Sequence, residues 1–79
     1  MNVRTQVERY IAELTNTQDI DPSVNLFESG HLTSLDALEL LSFIETTFEI
    51  SILGDDISVE NLGSIDSIVR YVEGAKQLA

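Results

Sequence analysis

Cysteine is absent from this chain of 79 residues. That excludes disulfides, thiolate metal sites and a cysteine nucleophile, and nothing here asks for an oxidising compartment. Basic residues are scarce: four Lys and Arg stand against fourteen Asp and Glu, for a net charge of -10. This balance argues against nucleic acid, where neutralising phosphates supplies most of the affinity. It argues equally against anionic membrane surfaces. It favours partners with basic docking patches, although a surface charged for solubility gives the same count. Long apolar runs are missing, none approaching the roughly 18 residues that span a bilayer. The opening Met1-Asn2-Val3-Arg4-Thr5-Gln6-Val7-Glu8 lacks the basic-then-apolar order of a secretory signal. Internal repeats and low-complexity tracts are lacking too. The expectation is a soluble, cytoplasmic, monomeric protein of one domain, residues 1–79. A domain of this size buries only about 60% of its unfolded surface, too little for a core and a deep catalytic pocket together.

Four segments carry the helical period, and none sustains the alternation of a strand. Val3, Val7, Tyr10, Ile11 and Leu14 line one face of a helix predicted from about Asn2 to Leu14. It should stop at Thr15-Asn16-Thr17, whose side chains compete for backbone hydrogen bonds. Gln18 to Thr33 form a long connection, a type of loop that often carries function. Pro22 cannot sit in a helix interior, but Asp21-Pro22-Ser23 can open a single turn. Leu26 and Phe27 should pin this loop to the core, and Gly30 should supply a backbone angle that other residues resist.

The second helix is predicted from Ser34 to Phe48. Thr33 is its N-cap, and Asp36 three residues on makes a capping box with a short acid at the positive end of the helix. Ala37, Leu40, Leu41, Ile44 and Phe48 share the core-facing arc. Leu35 and Phe43 fall within or beside the polar arc of Asp36, Glu39, Ser42, Glu45 and Thr46, so core packing does not account for them. Glu49 to Ile57 read as a linker with a turn at Gly54-Asp55-Asp56. Ile50 and Ile52 alternate, but a lone strand has no partner, so they are expected as loop anchors. Ser58 should cap a short helix, Val59 to Leu62, ended by Gly63. Ser64 should cap a last helix from Ile65 to Gln77, with Ile65, Ile68, Val69 and Val72 inward and Lys76 at its negative end. The fold class is all-α: a four-helix bundle of three main helices and one short one.

Ser34 is the candidate functional residue, a hydroxyl at the junction of loop and helix. Catalysis by Ser34 needs a base and an orienting third group. The sole histidine, His31, is three residues away, and the flanks are not a Gly-x-Ser-x-Gly elbow. His31 reads as a solvated loop residue. Asp19 with Asp21, and Asp55 with Asp56, do not meet the ligand pattern of a calcium loop. The acids of the second helix lie on its solvated arc, where nothing splits their pKa values for acid–base work. A serine so placed suits attachment of a group by another enzyme, though a first-turn serine is also simply common; local physics leaves both open.

Leu26-Phe27-Glu28-Ser29-Gly30-His31-Leu32-Thr33-Ser34-Leu35, followed by Leu38-Glu39-Leu40-Leu41, resembles the acyl and peptidyl carrier proteins. Asp55-Asp56-Ile57-Ser58-Val59-Glu60-Asn61-Leu62 before Ser64-Ile65 is similar to the third-helix region of small stand-alone carriers. The likeness covers nearly the whole chain. It implies that Ser34 takes a 4′-phosphopantetheine arm from coenzyme A through a phosphopantetheinyl transferase. It also implies that the chain is not an enzyme and that the arm holds an acyl or aminoacyl group as a thioester. Thr33, Leu35, Asp36, Glu39 and Phe43 then correspond to the surface read by the transferase, by loading enzymes and by downstream synthases or transferases. The family's usual motif is Asp-Ser-Leu; Thr33 stands here in place of the Asp. The Phe-Glu-Ser-Gly-x-Leu form looks more like specialised-pathway or aminoacyl carriers than the housekeeping fatty acid type, and the resemblance implies a polyketide, fatty-acid-like or nonribosomal peptide pathway. Rival classes are an unmodified helical interaction module of the same fold and a small serine hydrolase.

Overall fold

The computed structural model describes residues 2–78. Met1 and Ala79, the ends of the expected 1–79 domain, lie outside the described residues. The chain forms α1 (Val3–Thr15), α2 (Ser34–Phe48), a 3-10 turn (Gly54–Asp56), α3 (Val59–Leu62) and α4 (Ile65–Leu78). Among the described residues the secondary structure is entirely helical, as the periodicity implies.

Each start is set by a local oxygen. Asn2 Oδ1 accepts from the Thr5 amide at 2.7 Å, Ser58 Oγ from the Asn61 amide at 3.2 Å and Ser64 Oγ from the Ser67 amide at 3.1 Å, satisfying donors that a helix start leaves free. α1 ends where Asn16 takes a left-handed backbone, φ 53°, within the expected Thr15-Asn16-Thr17 segment. α2 ends the same way at Glu49, φ 56°.

α1 and α4 pack along their stripes. Val7, Ile11, Ile68 and Val72 are fully buried between them, each worth on the order of 2 kcal/mol in removed apolar surface. α2 lays Leu40, Ile44 and Phe48 on this pair. Ala37 and Leu41, expected on the same arc, are half-buried at its edge.

The connection from Thr17 to Thr33 lacks regular helix, yet it is built into the core. Leu26 is wholly buried and Leu32 nearly so. The Leu32 amide donates to the Leu26 carbonyl at 2.9 Å, and the Leu26 amide to the Gly63 carbonyl at 2.7 Å. The Asp66 amide reaches back to the Pro22 carbonyl at 3.0 Å. Asn25 Oδ1 accepts from the amides of Phe27 and Glu28 at 3.0 and 2.9 Å, closing a turn. Gly30 sits at φ +86° in open space, so its role is the backbone angle. Gly63 is different: a Cβ there would run into the Val59 carbonyl and side chain. The chain can therefore close the end of α3 tightly onto Val59, with the Gly63 amide donating to the Val59 carbonyl at 2.8 Å, only because residue 63 has no side chain.

Candidate functional site

Ser34 is the first residue of α2, and it is exposed. Two elements place it. From before, the Leu26–Leu32 closure brings the chain out of the core two residues ahead of Ser34. From after, Thr33 and Asp36 form the full capping box. The Asp36 amide donates to Thr33 Oγ1 at 3.3 Å, while Asp36 Oδ2 accepts from the Thr33 amide at 2.9 Å and lies 3.1 Å from Thr33 Oγ1. Thr33 thus gives the helix start all the capping that an Asp would supply. Among the described residues no hydrogen bond ties down the Ser34 hydroxyl, and none joins it to His31. His31 is half-buried in the loop rather than freely solvated.

Leu35 is 76% exposed and Leu38 is 65% exposed. Leu38 was not singled out from the sequence, although its three-residue step from Leu35 puts both on one helix face. Glu39 is exposed beside them and Asp36 is half-exposed.

Phe43 requires a correction. Its wheel position suggested an outward side chain that core packing did not explain. Instead it is half-buried, stacked on Tyr10 with ring centroids 3.9 Å apart and planes at 6°, and set edge-on to Phe48 at 5.9 Å. The wheel measures direction from α2's own core arc. It cannot show that α1 passes along that flank and covers it with a tyrosine. Burial raises the Tyr10 phenol above its ordinary pKa, with the nearby Glu39 and Asp36 charges adding to the effect.

A cleft of about 270 Å³ opens beside Ser34. Ser34, Ala37, Leu40 and Leu41 of α2 form one wall, Phe27 of the loop the floor, and Ile57, Ser58, Val59 and Leu62 the other wall. Ile57 and Val59 are 51% and 54% exposed at the rim. Sequence reading left Ile57 in a linker and Val59 in a short helix without a role. Only the fold brings them next to a serine more than twenty positions earlier.

Charge is divided between the two halves of the molecule. Residues 17–63 hold ten Asp and Glu and no Lys or Arg. The other four acids are matched by the four cations, Arg4, Arg9, Arg70 and Lys76, all on α1 and α4. The whole net charge of -10 therefore belongs to the loops, α2 and α3 around Ser34. Among the described residues, no cluster of three or more potential ligands is arranged to hold a metal ion. No helix among them is long and apolar enough to cross a membrane.

The family model for the phosphopantetheine attachment site matches residues 5–72. The chain belongs to that family. Its members carry 4′-phosphopantetheine covalently and are carriers rather than catalysts. No curated protein matches the chain. The arm, when bound, supplies a thiol on which cargo is held as a thioester. The setting of Ser34 is chemically suited to such an arm. The hydroxyl is exposed and unpartnered, and it stands at the positive end of a 15-residue helix. That end favours an anionic phosphodiester through its dipole and open first-turn amides. Cleft and hydroxyl adjoin, so a group on Ser34 begins at an apolar surface.

Proposed function

We propose that Ser34 is the residue that takes the 4′-phosphopantetheine arm, and that residues 1–79 form one carrier domain. The observation that carries this reading is an exposed, unpartnered hydroxyl on the first residue of α2, inside the stretch matched by the family model. The carried group is an acyl or aminoacyl unit, and the pathways that suit the residues before Ser34 are polyketide, fatty-acid-like or other specialised biosynthesis. A peptidyl carrier of a nonribosomal pathway is the second form of the same reading, resting on the same Phe27-Glu28-Ser29-Gly30 stretch. The protein works as a cytoplasmic monomer.

Thr33, Leu35, Asp36 and Glu39 form the recognition surface, joined by the exposed Leu38. An apolar centre with an acidic border suits partners with an apolar contact ringed by Lys and Arg. These partners are a phosphopantetheinyl transferase, a loading enzyme and the synthases or transferases that receive the cargo. Phe43 is left to packing. Incubation with coenzyme A and a broad-specificity transferase tests the reading by intact mass. The parent should gain one arm, and Ser34→Ala should gain none. A gain that survives in Ser34→Ala, or no gain in the parent with any transferase, refutes it.

A further inference from the structure

We infer that Asp56 and Tyr71 are positioning residues that hold the α3 wall of the cleft in place beside Ser34. The inference rests on the reading of Ser34 as the attachment residue for its consequence, though not for its geometry.

The wall has little to hold it from its own burial. Ile57 and Val59 are each more than half exposed, and α3 is a helix of four residues, far too short to persist alone. Its C-terminal end is anchored, because Leu62 is buried and the Gly63 carbonyl accepts from the Leu26 amide. The approach to its N-terminal end is fastened at Asp56. Tyr71 Oη on α4 donates to Asp56 Oδ2 at 2.9 Å. Asn61 Nδ2 on α3 donates to the Asp56 carbonyl at 2.8 Å. The Asp56 amide closes the 3-10 turn on the Leu53 carbonyl at 2.9 Å. One residue therefore joins the turn, α3 and α4. Tyr71 is partly buried against the core, which makes its hydroxyl a fixed point.

Across the cleft there is no comparable tie. Among the described residues, no hydrogen bond runs from residues 54–62 to α2; the nearest is earlier, from the Ile52 amide to Glu45 Oε2 at 2.8 Å. The wall thus follows α4, and its distance from α2 is set from the far side by the phenol–carboxylate bond. Any protein that reaches the Ser34 hydroxyl meets Ile57 and Val59 alongside it, in the position that Asp56 dictates.

The test uses the full chain. In unmodified Tyr71→Phe, the aromatic packing stays and the hydroxyl goes. Amide hydrogen exchange should accelerate about fivefold at residues 57–62, the loss of one hydrogen bond, and stay unchanged in α1 and α2. Asp56→Ala should do the same, and the double variant should add nothing further. Asp56→Asn keeps an oxygen acceptor for the phenol and should behave like the parent. In arm transfer, Tyr71→Phe should raise the transferase KM for the protein about fivefold at unchanged kcat. Exchange that rises uniformly along the chain, or does not rise at 57–62, overturns the inference. So does a fall in kcat at constant KM. If the parent takes no arm at all, the attachment reading fails while the exchange experiment still decides the wall.

Discussion

Thr33 and Asp36 satisfy each other across the first turn of α2, and this reciprocity was legible because both partners lie within four residues. Thr33→Ala removes the cap and should cost about 1 kcal/mol in urea unfolding, whereas Thr33→Asp should cost almost nothing. A loss of the same size in both would show that the box does not hold the helix start. Leu35 and Phe43 looked alike in the sequence, two apolar residues without a core to enter. Their surroundings separate them. Leu35→Ala should leave stability within about 0.5 kcal/mol of the parent. Phe43→Ala strips the stack on Tyr10 and should cost about 2 kcal/mol, less than a wholly buried phenylalanine. Equal values for the two would restore the outward reading of Phe43. Its true setting was hidden because Tyr10 is 33 residues away on another helix.

At the scale of elements, boundaries were readable wherever a cap or a breaker marks them. The structure starts α2 and α3 where Thr33 and Ser58 foretell, and α4 follows Ser64. The stitches between elements were not readable. Nothing local in Leu26 announces that its amide will meet Gly63, nor in Asp56 that a tyrosine on α4 will hold its carboxylate. The C-terminal end of α2 shows a different kind of tension. Glu49 adopts a left-handed backbone that L-residues resist, and its carboxylate sits at the negative end of the helix. Glu49→Gly relieves both and should raise stability by roughly 0.5–1 kcal/mol. Destabilisation instead would mean that the Glu49 side chain makes a contribution larger than this strain.

The molecule as a whole is divided into a neutral α1–α4 pair and an acidic remainder. Composition gives the total charge but not this division, which needs the fold to show which residues share a side. Ten acids without a local cation repel one another, so added salt should stabilise the fold. Raising salt from about 0.01 to about 1 M shortens the screening length from about 30 to about 3 Å, and Tm should climb by several degrees. A flat or falling Tm would show that self-repulsion is not what limits stability. At the alkaline end the sign reverses. Burial, and next the bond to Asp56, raise the Tyr71 phenol above the ordinary tyrosine pKa of about 10. A proton held more tightly in the folded state stabilises it below that ordinary value. The contribution is lost as pH climbs through the raised one, so unfolding measured above about pH 10 should be less steep in Tyr71→Phe. The bond between the Leu26 amide and the Gly63 carbonyl also imposes an order in time. Ser34 emerges from the ribosome well before Gly63, yet the loop that aims it is closed only once Gly63 and Asp66 have arrived. An enzyme that recognises the finished junction therefore meets its substrate only after the chain has been made as far as Asp66 and folded. In refolding from urea, the mass gain should trail the recovery of structure and never lead it. Modification would then double as a proofreading step, withheld from nascent or misfolded copies.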